Sequence, residues 1–111
     1  MAKHILLAFG NPLEGREEDF NHWYNEIHLK DILKLPGFVS AQRFQLSPAQ
    51  AMAHPYKYLA VYEIETEDQE VALNLLAPTS PQELPVTDAW DYDRCATWWY
   101  SSITDRKVKN S

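Results

Sequence analysis

Side-chain patterns along this 111-residue sequence predict an α+β fold whose elements follow the order β-α-β-β-α-β. Alternating side chains mark four strands, at about residues 3–9, 38–46, 56–65 and 92–103. Helical spacing marks two helices, at about residues 16–28 and 66–76. This order is the split βαβ plan of the ferredoxin-like sandwich, in which a four-stranded antiparallel sheet carries both helices on one face.

The first helix is predicted from a single apolar stripe. Its members follow the spacing i, i+3, i+4 and i+7: Phe20, Trp23, Tyr24 and Ile27. His28 falls at the edge of this stripe, whereas Leu29 would point to the opposite side. We therefore expect a break after His28, a short turn over residues 30–34, and a stop at Pro36 and Gly37.

The second helix is predicted from a capping box, in which Thr66 caps the helix and Gln69 reaches back. An apolar face follows it, formed by Val71, Ala72, Leu75 and Leu76. In the second strand, alternation places Arg43 on one face with Val39 and Ala41, and Phe38 on the other.

Both faces of the third strand are apolar, with Leu59 and Val61 on one side and Tyr58 and Tyr62 on the other. Two helices can cover only one face of a four-stranded sheet. A monomer would expose the other face, so the pattern predicts a homodimer joined sheet to sheet.

Composition excludes several classes of protein. Hydrophobic residues make up 45% and charged residues 23%, which is ordinary globular usage. We expect one domain over residues 1–104 and a polar tail over residues 105–111. The net charge of −6 disfavours nucleic acid, and the longest apolar run, residues 5–9, is too short for a membrane span. With one cysteine and no readable secretory leader, a cytoplasmic protein without a disulfide framework is expected.

Two segments of the chain resemble a known family. They are GREEDFNHWYNEIHL at residues 15–29 and LPGFVSAQRF at residues 35–44. Taken together, the two segments contain the series Trp-Tyr…His…Pro-Gly-Phe…Arg-Phe. The series resembles the dimeric α+β-barrel proteins and, among them, the EthD-like branch. This resemblance implies a homodimer whose two sheets form a barrel, with a cavity between each sheet and its helices. Relatives include polyketide cyclases, small lyases, monooxygenases and EthD itself, so the fold does not fix the reaction.

His28 is the first candidate catalytic residue, because it lies at the rim of the apolar stripe and an imidazole titrates near neutral pH. At the end of the first helix, the dipole should favour its protonated form. The resemblance implies that this histidine lines the cavity. The alternative is a helix cap or a hydrogen-bonded core histidine.

Arg43 is the second candidate, because a permanent charge is unexpected on an apolar strand face. It could bind a carboxylate, phenolate or enolate oxygen, or form a structural ion pair with Glu63 or Asp93. Tyr24, one turn before His28, could hydrogen-bond the histidine or the substrate, or could simply belong to the core.

The predicted ligand-binding residues are Trp23, Tyr58, Tyr62 and Asp93. The two strand tyrosines could instead fill the barrel between subunits, and Asp93 could be solvated. No ligand spacing for a metal and no Gly-rich phosphate loop is present, so cofactor-free chemistry is expected. Some relatives bind haem, for which His28 would be the one candidate ligand.

Three functions remain open. The first is a small cofactor-independent enzyme of the cyclase, lyase or isomerase type, acting on an aromatic or carbonyl-containing hydrophobic molecule by general acid–base chemistry. The second is a non-catalytic EthD-like binding or accessory protein of a catabolic pathway. The third is an interaction module without a ligand.

Overall fold

The computed structural model describes residues 3–48, 56–67 and 87–109. The described strands are β1 (Lys3–Gly10), β2 (Phe38–Gln45), β3 (Tyr58–Glu65) and β4 (Ala96–Ser101). The helical elements are α1 (Glu17–Trp23), a π-helical turn (Tyr24–His28) and α2 (Leu29–Ile32). The predicted second helix lies outside the described residues from Asp68 onward.

The four strands form one antiparallel sheet in the order β2-β3-β1-β4. The two central strands, β3 and β1, pair along their full length, with Lys3 opposite Glu65 and Gly10 opposite Tyr58. This arrangement confirms the predicted four-stranded antiparallel sheet and is consistent with the ferredoxin-like plan.

The start of α1 follows from local chemistry. Gly15 adopts φ +79°, a left-handed conformation that turns the chain before the helix. Glu17, Glu18 and Asp19 then occupy the first turn, where acidic side chains meet the positive end of the helix dipole. Lys57 donates to both carboxylate oxygens of Glu17, at 2.5 and 2.7 Å, which ties the helix start to the beginning of β3.

The apolar stripe predicts a break after His28, but the helix continues through this residue. A π-helical turn over residues 24–28 joins α1 to α2 without interruption. A π turn holds one extra residue, so it rotates the side chains that follow. Ile27 leaves the stripe and is 38% exposed, while Leu29 packs against the core and Ile32 is buried.

β2 carries a bulge that the sequence pattern did not reveal. The pairing register with β3 shifts at Val39, so the alternation of side chains restarts there. Phe38 lies opposite buried Ile64, and Arg43 lies opposite buried Ala60, which puts both on the helix-facing side. Val39 is 51% exposed. The predicted grouping of Val39 with Arg43, and of Phe38 with the other face, is therefore wrong.

β4 is shorter than predicted and begins at Ala96, not near residue 92. Residues 91–94 form a turn instead, closed by the N–H of Arg94, which donates to the carbonyl of Asp91 at 3.1 Å. The predicted alternation within the strand is confirmed from its pairing with β1, with Trp99 on the helix-facing side opposite Leu6.

The sheet has one covered and one open face. The covered face packs against the helices through a core that includes Leu6, Phe20, Trp23, Tyr24, Ile32, Phe38, Tyr58, Ala60, Tyr62 and Ile64. The open face carries exposed or half-buried apolar side chains from all four strands: Ile5, Leu7, Phe9, Phe44, Leu59, Val61, Trp98 and Tyr100. Among the described residues, no helix combines the length and apolar character that crossing a bilayer requires.

Candidate functional site

An aromatic cluster lies between the helix and the covered face of the sheet, and Trp90 is at its centre. Its ring lies within 5.2 to 6.1 Å, centroid to centroid, of five other rings: Phe20, Trp23, Tyr24, His28 and Tyr92. The segment that carries Trp90 is fixed by two backbone hydrogen bonds. The N–H of Leu13 donates to the carbonyl oxygen of Ala89 at 2.7 Å, and the N–H of Asp91 donates to the carbonyl oxygen of Asn11 at 2.9 Å.

Gly10 makes room for this indole ring. A Cβ atom at position 10 would lie 2.9 Å from Nε1 of Trp90, closer than real side chains come. Glycine is therefore required here by close approach, and the end of β1 sets the position of Trp90.

His28 is part of this cluster. Its ring stacks on Trp23 at 4.4 Å with an interplanar angle of 20°, and meets Tyr24 edge-on at 5.0 Å. The π turn brings it there, because the extra residue moves His28 into the place that Ile27 would otherwise take. Its Nδ1 atom is buried and has no hydrogen-bond partner among the described residues.

The charge state of His28 differs from the expectation. The pKa of His28 is lowered to about 4, chiefly by burial; the charge of Asp31 opposes this shift and the charge of Arg43 adds to it. The helix also continues past His28, so no C-terminal dipole acts on it. The expected preference for the protonated form is therefore wrong: His28 is a neutral imidazole at pH 7.

Arg43 reaches into the same cluster from β2. Its Nη1 donates to Oδ1 of Asn25 at 2.8 Å, and its guanidinium carbon lies 4.4 Å from the ring centroid of Tyr24. The rings of Tyr58 and Phe20 follow at 5.0 and 5.4 Å. Burial lowers the pKa of Arg43 from its usual value, while the phenol groups of Tyr24, Tyr58 and Tyr62 oppose that shift. Nε and Nη2 are buried and have no partner among the described residues.

The alternative ion pair of Arg43 with Glu63 or Asp93 is wrong. Glu63 alternates with buried Tyr62, so it lies on the open face of the sheet. Asp93 lies exposed in the turn before β4, where its N–H donates to the side chain of Asp91. The structure therefore does not bring Asp93 to the cluster.

The tyrosines of the cluster, Tyr24, Tyr58 and Tyr62, differ in their hydrogen bonding. Tyr24 and Tyr62 are buried, and burial raises the pKa of each phenol above its usual value, so both are neutral. The hydroxyls of Tyr62 and Tyr24 interact, which raises the pKa of Tyr62 and opposes the raised pKa of Tyr24, but their geometry is too poor for a full hydrogen bond, so the Tyr62 hydroxyl has no such bond to a described residue. The hydroxyl of Tyr58, by contrast, accepts from Nδ2 of Asn21 at 3.2 Å.

Six predicted site residues thus lie together on the covered face: Trp23, Tyr24, His28, Arg43, Tyr58 and Tyr62. Sequence analysis missed Trp90 and Asn25. Trp90 lies in an irregular segment without periodicity, and Asn25 is an exposed helix residue that became a partner only through the fold. The one available signal was the residue type, because a tryptophan in a loop has a large apolar ring that is unfavourable to expose to water.

The cluster presents an unusual set of buried polar atoms. Without a partner in the described part of the chain are His28 Nδ1, Arg43 Nε and Nη2, Tyr62 Oη, and Nε1 of Trp23 and Trp90. Buried polar groups are nearly always hydrogen-bonded in native proteins, so such a concentration calls for a reason. Within residues 3–48, 56–67 and 87–109, no three His, Cys, Asp or Glu side chains group in a way that could hold a metal ion.

A surface cavity of about 380 Å³ lies elsewhere, at the end of β1, β3 and β4. Its lining includes Ile5, Val61, Glu63 and Tyr100, side chains of the open face. We place the candidate site at the aromatic cluster instead, because the unpartnered polar atoms are there.

No protein-family model matches this chain, and no curated protein matches it. Among solved structures, the crystal structure of a proposed monooxygenase from Shewanella loihica PV-4 is similar, with a TM-score of 0.57 and 15% sequence identity. The similarity covers 99% of this chain and 99% of that chain. At this identity it supports the small α+β fold, and it does not single out the EthD branch.

Proposed function

We propose that this chain is a small cofactor-independent enzyme that moves a proton on an aromatic or carbonyl-containing molecule. The observation that carries the proposal is the set of unpartnered polar atoms inside the aromatic cluster. A buried acceptor beside buried donors is the arrangement that general acid–base catalysis requires. The fold similarity to an enzyme-like protein is compatible with this function.

His28 is the proton acceptor in this proposal. Its pKa of about 4 keeps the imidazole neutral at physiological pH, and its Nδ1 is not engaged by a described residue. Trp23 and Tyr24 hold the ring on two sides, so its orientation is fixed before a ligand arrives.

Arg43 and Tyr62 stabilise the negative oxygen that develops when the proton leaves. The guanidinium group supplies a permanent charge, and the neutral phenol supplies a hydrogen-bond donor. Trp23, Trp90 and Tyr58 provide flat apolar surfaces for the ring of the substrate.

The structural neighbour favours a second candidate, a monooxygenase reaction. In this reaction a substrate CH₂ group would lose a proton to His28, and the carbanion would react with O₂. One oxygen atom would enter the substrate as a carbonyl and the other would leave as water, with the substrate supplying all the electrons. Both candidates begin with the same deprotonation.

Hydrogen–deuterium exchange at the acidic C–H of 2-tetralone, followed by NMR in D₂O, tests the proposal without knowledge of the natural substrate. We expect the protein to accelerate exchange, and His28→Gln to lower the acceleration by roughly 10²–10⁴-fold. His22→Gln is the matched control, because His22 lies exposed on the same helix. Equal rates for His28→Gln and the wild type would overturn the role of His28. Binding of 2-tetralone without accelerated exchange would favour the non-catalytic EthD-like alternative.

We also propose that two copies associate through the open face, because apolar side chains lie exposed there on β1, β2 and β4 and half-buried on β3. Val61, on the central strand β3, is suited to a test. Sedimentation equilibrium should give twice 12.9 kDa for the wild type and 12.9 kDa for Val61→Glu. Leu33→Glu, a matched change at an exposed leucine of the helical segment, should remain a dimer. A wild-type mass of 12.9 kDa at micromolar concentration would refute the dimer.

A further inference from the structure

The guanidinium group of Arg43 has one engaged corner and one free edge. Nη1 donates to Asn25, whereas Nε and Nη2 have no partner among the described residues, although both atoms are buried. The N–H bonds of Nε and Nη2 point in nearly the same direction from the same edge of the planar group. This edge is the one that binds two oxygens at once.

The positive charge of Arg43 is also uncompensated within the described part of the chain. The partner of its Nη1 is a neutral amide, and the ion pairs between described residues do not include Arg43. The faces of Tyr24, Tyr58 and Phe20 offset part of the cost by cation–π attraction. This half-buried charge still lacks a counter-charge among the described residues, which folding does not favour without another purpose.

The free edge is held in a fixed orientation. Asn25 restrains the guanidinium group at one corner, and the ring of Tyr24 lies 4.4 Å from its central carbon. Such a rigid fork matches a planar anion with two oxygens better than a single oxygen, which the two parallel N–H groups can share only at poorer angles.

We propose that the substrate carries a carboxylate, bound through both of its oxygens by Nε and Nη2 of Arg43. The inference rests on the proposed function, since it concerns the ligand of the same site. Of the three oxygen groups that the sequence allowed, the carboxylate alone offers each N–H its own oxygen while it supplies the missing negative charge. His28, which contacts the same Tyr24 ring, then faces another part of the same molecule.

Three naphthalene probes distinguish the ligand groups on the full chain: 2-naphthoate, the neutral isostere 2-naphthamide, and 2-naphthol with its single oxygen. We expect titration calorimetry to give 2-naphthoate a Kd about tenfold or more below those of the other two. Arg43→Lys keeps the charge but loses the fork, so it should raise the Kd of 2-naphthoate about tenfold and leave that of 2-naphthol nearly unchanged. Arg94→Lys, the same change at an exposed arginine, is the control and should have no effect.

The outcomes separate the two proposals. If 2-naphthol and 2-naphthamide bind as tightly as 2-naphthoate, the carboxylate is wrong, while the aromatic site and its proposed chemistry stand. Unchanged 2-naphthoate binding by a folded Arg43→Lys variant also overturns the carboxylate. If none of the three probes binds, both the carboxylate and the proposed function are overturned. The comparison of the three probes on the wild type needs no variant, so it decides even if Arg43→Lys fails to fold.

Discussion

Two histidines in this molecule, His4 and His28, pack against aromatic rings in otherwise opposite surroundings. At one end of the sheet, His4 is 8% exposed and both ring nitrogens are engaged, Nδ1 with the hydroxyl of Ser101 at 2.8 Å and Nε2 with the carbonyl of Thr66 at 3.2 Å. Because a carbonyl can only accept, Nε2 carries the proton and Nδ1 accepts from Ser101. In the aromatic cluster, His28 has a buried Nδ1 without such a partner.

The difference shows how a structural histidine can be distinguished from one that is available for catalysis. Aromatic neighbours do not distinguish them, since His4 also lies 5.2 Å from Trp99. What differs is the satisfaction of polar atoms: His4 contributes to stability through its hydrogen bonds, whereas His28 keeps an acceptor available at a cost. We expect the two regions to respond differently to the same perturbation.

The largest expected effect is a loss of stability at acidic pH that comes from His28. Its pKa is about 4 in the folded chain and 6.5 in the unfolded chain, so between these values the unfolded chain binds the proton first. The free energy of unfolding should therefore decrease as pH falls from 6.5 to 4, by up to about 3 kcal/mol from this residue.

Urea unfolding of the wild type and His28→Gln at pH 7, 5.5 and 4.5 measures this contribution. The variant should gain stability relative to the wild type as the pH falls, because glutamine does not titrate. A difference between the two proteins that stays constant with pH would contradict the burial of a neutral His28.

Gly10→Ala tests whether the end of β1 positions the cluster through Trp90. The added Cβ would meet Nε1 of Trp90 at 2.9 Å, so the indole must shift. We expect a loss of roughly 1–3 kcal/mol in the free energy of unfolding and changed tryptophan fluorescence. Unchanged fluorescence and unchanged stability would show that the indole has free space, and that Gly10 does not set its position.

The sequence predicted the parts of this fold that depend on simple periodicity. Alternation located all four strands, and it placed Tyr58 and Tyr62 correctly on one face of β3. The bulge at Val39 and the π turn at residues 24–28 each insert one residue, and tertiary packing selects them with no local signal. The π turn carries two residues of the candidate site, Tyr24 and His28, so the details of the site were the least predictable part of the described chain.

The candidate site was predicted as a set of residue types and not as a set of contacts. His28 was identified because an imidazole that titrates near neutral pH lies at the rim of an apolar stripe, and Arg43 because a permanent charge is unexpected on an apolar strand face. Their states depend on the fold: the neutral imidazole comes from burial, and the free guanidinium edge comes from the position of Asn25. The residue pattern of one sequence gives neither the burial of a side chain nor the distances between side chains.

The most direct test of this account measures stability and activity on the same two variants, His28→Gln and His4→Gln. We expect His28→Gln to keep its free energy of unfolding at pH 7 and to lose 2-tetralone exchange by roughly 10²–10⁴-fold. His4→Gln should lose about 1–3 kcal/mol of stability and retain the exchange rate per folded molecule. If His28→Gln is unstable but fully active, His28 is a structural residue like His4, and the candidate site is wrong.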